Sequence, residues 1–235
     1  MLAASGGSAH RLVSVRRHGV ERTLVVLAAA DRLTYVRLAA AAAPAVEVAL
    51  SDRVVANRVA RWSIEPPTFA LRPWRVERRS FATALRELAR ANRALVFADV
   101  AECYGSIRPR AVRAAFETIG APGGRAVEAF LTRLGQAGVA GLPVGPEPSA
   151  MLANAVLDHV DRALEARGIA HLRWVDDLVL GLGGPDEADR GLAVIRGALR
   201  ELGLRTNERK TRVVADPGRL VAGPSALRGR AVRVG

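Results

Sequence analysis

The chain has 235 residues, half of them hydrophobic, a length that suits one large domain or two small ones built around a sizeable core. Lysine plus arginine exceed aspartate plus glutamate by 35 to 23, and the formal charge of +12 is spread along the chain, which suits a polyanionic partner as well as it suits a solvated surface from a biased genome. Cys103 is the only cysteine, so an internal disulfide and a cysteine-based zinc site are excluded, in keeping with a reducing cytosol.

The first nine residues are small and read as frayed; Arg11 to Arg16 and Thr23 to Ala29 read as strands with a turn at His18-Gly19. The apolar stretch from Leu24 to Val48 is interrupted by Asp31, Arg32, Arg37 and Glu47, short of a membrane span, and no signal peptide is evident. A soluble cytoplasmic protein with no membrane partner is expected. Ala39 to Ala45, with Pro44, reads as a connector or helix end. Asp52 to Trp62 reads as a helix capped by Ser51 and stopped by Pro66 and Pro67. Four arginines surround Trp74 between Phe69 and Ser80, a cluster able to clamp phosphate oxygens or simply to meet solvent, and Phe81 to Asn92 follows as an amphipathic helix. Further helices are expected at Pro109 to Ile119, Arg125 to Ala137, Ser149 to Arg167 and Asp186 to Leu202.

Two segments place carboxylates where apolar strands end. Ala94 to Ala98 would form a buried strand with Asp99 at its end, and His171 to Gly181 reads as a tight hairpin with Asp176 and Asp177 both at its tip. Adjacent carboxylates repel, and a cation is their natural compensation. Phosphoryl transfer by two metals uses such a cluster, holding two divalent ions about 4 Å apart. Magnesium suits an all-oxygen set. An Asp-Asp turn with solvated acids is the commoner meaning of the dipeptide alone.

The order of FADVAECYGSI (Phe97 to Ile107), GLPVGPEPSAMLAN (Gly141 to Asn154), RWVDDLVL (Arg173 to Leu180) and LGLRTNERKT (Leu202 to Thr211) resembles the bacterial reverse transcriptases of the retron, group II intron and phage-defence (abortive-infection or unknown-group) lineages, over roughly Leu50 to Val214. The resemblance implies an α/β (α+β) fold, a right-hand polymerase palm and fingers with a mainly antiparallel sheet. It divides the chain into a fingers-like region 1–93, a palm 94–215 with 110–140 partly fingers, and a tail 216–235. By this match Asp99 and Asp176 are the main metal ligands and Asp177 tunes the site, with two Mg²⁺ ions as cofactor and Mn²⁺ as substitute. Tyr104 matches the aromatic steric gate under the sugar. Arg72, and after it Arg75, match the nucleotide-contacting arginine, and Gly145, Ser149 and Asn154 lie in the segment that supports template and nucleotide. Val144 stands where the family commonly has Gln, and Trp174 where Tyr or Phe is common.

Lys210 is the only lysine beside 34 arginines. Lysine can release its proton where arginine cannot, which suits a general acid for leaving pyrophosphate. Only 25 residues follow it, rich in Gly, Pro and Arg towards the end, so a thumb is expected to be absent. A partner protein, an associated RNA or a homo-oligomer would then complete the grip on an RNA template, a DNA or RNA primer and dNTPs. The rival readings are template-independent or protein-primed DNA synthesis, RNA-directed RNA synthesis, and a non-catalytic nucleic-acid-binding module on the same fold.

Overall fold

Strand hairpins and helices make up the computed structural model, which describes residues 10–17 and 20–218. The expected frayed start, the His18-Gly19 turn and the tail from residue 219 onward lie outside the described residues. The chain forms two compact units, each assembled from three segments.

The first unit comprises Met1–Ala49, Val59–Leu71 and Tyr104–Val156. It opens with an antiparallel hairpin, β1 (His10–Arg17) and β2 (Val20–Leu27), followed by α1 (Ala29–Ala49). The alanine-rich stretch expected to be a connector or helix end lies inside the second half of α1, and the helix runs through Pro44. Alanine is the strongest helix former, and Ala39, Ala40, Ala42 and Ala43 are all buried, so favourable propensity and close packing outweigh the bond that proline removes. A second hairpin, β3 (Val59–Ser63) and β4 (Thr68–Leu71), contacts α1, and Pro66 and Pro67 lie in its turn. A short helix α3 (Cys103–Ser106) spans the boundary between the units. Then come α4 (Pro109–Ile119), with the expected bounds and Gly120 closing it at a φ of +70°, and α5 (Gly124–Gln136), packed on α4. Tyr35 of α1 stacks on Phe130 of α5 with centroids 5.0 Å apart, and Arg133 bonds Asp31 at 2.6 Å.

The second unit comprises Leu50–Arg58, Arg72–Cys103 and Leu157–Gly235. Its centre is an antiparallel sheet in the order β6-β7-β5-β8, made of β5 (Ala94–Asp99), β6 (Ala170–Trp174), β7 (Asp177–Leu182) and β8 (Arg212–Ala215). Helix α2 (Trp74–Ala91) covers one face: Leu85, Leu88 and Ala89 meet Leu95, Leu172 and Val179. Each such leucine, fully withdrawn from water, contributes roughly 1.5–3 kcal/mol. Alternation along β7 sends Leu180 and Leu182 to the opposite face, where a Cβ on Gly191 would meet them; this glycine lies in α7 (Ala188–Glu201), which follows a 3-10 turn at Pro185–Glu187. Helix α6 (Glu147–Glu165) belongs to both units.

Residues 52–62 do not form the expected helix. Val54 instead bridges Arg173 on β6, the Val55 amide donates to the Arg173 carbonyl at 3.0 Å, and the Arg173 amide donates to the Arg53 carbonyl at 2.9 Å. Glu77 then accepts from the Asn57 and Arg58 amides at 3.0 and 2.9 Å. Backbone groups that a helix would have satisfied internally are satisfied by a strand and a buried carboxylate, which suits the β-branched valines better. The arginine cluster around Trp74 is likewise partly helical, because α2 begins at Trp74, directly after Pro73.

Candidate active site

The antiparallel register places Asp99, at the end of β5, opposite Asp177, the first residue of β7. The hairpin tip is Val175-Asp176, with Trp174 paired to Asp177. The sequence had suggested both acids at the tip; the two-residue turn holds only Asp176, and Asp177 is drawn into the ladder. Val175 adopts a φ of +59°, unusual for a β-branched residue and held by its surroundings. The Asp176 carbonyl accepts from the Val100 amide at 3.1 Å, which ties the tip to the residue after Asp99.

Asp99 is 4% exposed and both its oxygens are engaged. Oδ1 accepts from Nδ2 of Asn207 at 2.9 Å, and Oδ2 from Nζ of Lys210 at 2.7 Å. The Asn207 amide also donates to the Asp99 carbonyl at 2.7 Å, and the Lys210 amide closes a turn on the Asn207 carbonyl at 3.0 Å. One turn therefore delivers both partners to one carboxylate. The hydrogen bond to Asp99 holds the Lys210 ammonium above its ordinary range, reinforced by the negative charge of all three aspartates and opposed by partial desolvation.

The opposite shift marks Asp177. Burial first, then the negative charges of Asp176 and Asp99, push its carboxyl up to about 6, with Lys210 pulling the other way. The same field reaches Cys103, whose thiol is pushed up to about 12 by burial and by Asp176, with a smaller contribution from Asp99, and is therefore inert. No group of three or more His, Cys, Asp or Glu side chains converges as a ready-made cation cage among the described residues. The donor chemistry nonetheless fits a hard divalent cation: three carboxylates supply only oxygen, and their repulsion is what such an ion would relieve.

A buried ion pair lies behind the hairpin. Arg173 of β6 directs Nε and Nη2 to Asp161 of α6, with Nη2 to Oδ2 at 2.7 Å, and both side chains are fully buried. Burial pushes the Asp161 carboxyl up, but the guanidinium and His171 more than offset it, and the net direction is down. His171 Nε2 lies 3.3 Å from Asp161 Oδ1 without the alignment of a hydrogen bond.

Arg72 and Arg75 are exposed before and within the first turn of α2; the Arg72 amide donates to the Arg58 carbonyl at 2.8 Å, and the Arg75 guanidinium lies 5.6 Å from the Trp74 ring centroid. In the first unit, Tyr104 is half-buried on α3, and its carbonyl accepts from the Leu142 amide at 2.8 Å. A Cβ on Gly141, which has a φ of +62°, would fall 2.3 Å from that carbonyl oxygen, so only glycine fits. Gly145, at φ +121°, follows Val144, whose carbonyl accepts from the Val25 amide at 2.8 Å. Ser149 does not cap α6, which begins at Glu147: its hydroxyl is buried, donates to the Pro143 carbonyl at 2.6 Å and pairs with the Tyr35 hydroxyl at 2.9 Å. Asn154 is buried on the same helix.

A family profile described as reverse transcriptase (RNA-dependent DNA polymerase) matches residues 44–222, most of the chain and all of this site. The chain belongs to the reverse transcriptase family. No curated protein matches the chain at a significant level. Membership of the reverse transcriptases carries with it, as general family properties, DNA synthesis on a primed RNA template from dNTPs with divalent metal ions. The mixed helix and antiparallel-sheet architecture agrees with this family, and among the described residues no helix is long and apolar enough to cross a membrane. Asn207 is a residue of this candidate site that the sequence reading does not single out. Its signal was its place three residues before Lys210, on one turn of chain.

Proposed function

We propose that this reverse transcriptase adds deoxynucleotides to a primer 3′-hydroxyl under direction of an RNA template, through Asp99, Asp176 and Asp177. The observation that carries this reading is the Asp99–Asp177 register pair with Asp176 beside it and Lys210 on Asp99. Two Mg²⁺ ions, with Mn²⁺ as substitute, would be held by Asp99 and Asp176, with Asp177 tuning the site; when bound they supply activation of the attacking hydroxyl and stabilisation of leaving pyrophosphate. Lys210 enters protonated and positioned, ready to give its proton to the departing oxygen. Tyr104 excludes the 2′-hydroxyl by volume. Arg72 and Arg75 meet the triphosphate, and Gly145, Ser149 and Asn154 shape the segment under template and nucleotide, Ser149 through its bonds to Pro143 and Tyr35.

In this reading residues 94–215 are the palm, with fingers at 1–93 and partly at 110–140. The motif set of the retron, group II intron and defence-associated lineages supports an origin in phage defence or a mobile element.

The test is incorporation of labelled dNTPs by the purified chain with Mg²⁺ on a primed RNA template, beside reactions lacking template or primer. Product that copies the template supports the reading. Product without template assigns template-independent synthesis instead, and product without primer assigns protein priming. RNA binding with no product, alone and with co-purifying components restored, assigns a binding module.

A further inference from the structure

We infer that Arg173, held by Asp161, is a positioning residue for Asp176. The inference rests on the catalytic reading of Asp176 given above. An aspartate's placement is set by the two peptide planes that flank it. The plane that follows Asp176 is fixed through its carbonyl, which accepts from the Val100 amide at 3.1 Å, beside Asp99. The plane that precedes it contains the Val175 carbonyl, and that oxygen accepts from Nη1 of Arg173 at 3.0 Å. Both planes are therefore tied, one to the strand that carries Asp99 and the other to a guanidinium.

That guanidinium cannot swing. Its Nε lies 3.1 and 2.9 Å from the two oxygens of Asp161, its Nη2 lies 2.7 Å from Oδ2, and neither residue is exposed at all. Its backbone is fixed as well, between the Arg53 carbonyl and the Val55 amide. Two sides of the planar fork face a carboxylate on α6, and the third reaches the hairpin tip. What it reaches is the residue that needs restraint, since Val175 holds a φ of +59° that a β-branched side chain does not adopt by preference. Lysine, a single point charge, cannot serve the carboxylate and the carbonyl together.

A buried ion pair need not stabilise a fold; apolar residues of similar volume often replace one without loss. This separates support of the fold from placement of Asp176. The experiment compares the wild-type chain with Arg173→Met/Asp161→Leu and with Arg173→Lys, reading thermal stability, hydrogen exchange of the peptide that spans the hairpin tip, and primer extension on primed RNA. The double variant is expected to keep a wild-type melting temperature and wild-type exchange along α6 and β5, while the tip exchanges faster. Its kcat is expected to fall by on the order of tenfold to a hundredfold, with the dNTP KM nearly unchanged. Wild-type exchange at the tip together with wild-type kcat in a folded double variant overturns the inference. If the double variant does not fold, Arg173→Lys is judged by the same two readouts. If the wild-type chain makes no product at all, the reading of function fails, and exchange at the tip alone decides whether Arg173 places it.

Discussion

Nζ of Lys210 lies 2.7 Å from Oδ2 of Asp99, so the chain's single lysine is paired with the buried aspartate that ends β5. The pairing accounts for the raised affinity of Lys210 for its proton, and it separates two roles that a substitution can distinguish. Lys210→Arg keeps the positive charge beside Asp99 but cannot release a proton near neutral pH. The variant is expected to melt like the parent and to incorporate nucleotide on the order of a hundredfold or more slowly under single-turnover conditions. An unchanged single-turnover rate would remove the general-acid role.

Asp177 carries a carboxyl pushed up to about 6 by burial and by its acidic neighbours. A carboxyl raised in the folded state contributes stability that is fully present below its unfolded value, about 3.9, and is lost as pH rises through about 6. In metal-free buffer Asp177→Asn should therefore melt higher than the parent at pH 7, with the difference shrinking as pH falls towards 4. Melting curves across that range check the sign; a destabilised variant at pH 7 would contradict the mutual repulsion.

Gly141 accepts no side chain without backbone movement, since its Cβ would lie 2.3 Å from the Tyr104 carbonyl oxygen at a φ of +62°. Gly141→Ala is expected to cost on the order of 1–3 kcal/mol from conformation alone, with the clash added to it. Chemical denaturation measures this. Gly138→Ala, also at positive φ but with open space around its Cβ, is the control that isolates the clash.

Tyr104 is the proposed sugar gate. Tyr104→Ala should raise incorporation of ribonucleotides relative to deoxyribonucleotides, read as the ratio of the two kcat/KM values on one template, while dNTP incorporation persists. An unchanged ratio would return Tyr104 to a packing role.

The elements legible in the sequence were those whose local pattern and tertiary surroundings agree. Pro109 opens α4 where expected, and the apolar run before Asp99 forms the central strand β5. Residues 53–58 were illegible because their backbone partners are Arg173 and Glu77, outside the local window, and residues 59–62 pair with β4 across the turn that holds Pro66 and Pro67. The alanine stretch of α1 was misread because Pro44 is a local signal and the burial of its neighbouring alanines is not. At the candidate site, Asp99, Asp176, Asp177 and Lys210 are singled out by the motif resemblance, and Lys210 also by being the single lysine, yet the pairing of Lys210 with Asp99 is not written in either. Asn207 on Asp99, and Asp161 under Arg173, depend on which strands meet, and no local pattern carries that.

The central claim is that the carboxylates at the ends of β5 and β7 carry metal-dependent DNA synthesis. Template-directed primer extension by Asp176→Ala, at matched folded concentration and across a Mg²⁺ titration, tests it most directly. The account predicts template-dependent product from the parent chain and none from the variant at any Mg²⁺ concentration, with RNA binding retained. Product formation by Asp176→Ala at the parental rate would contradict it.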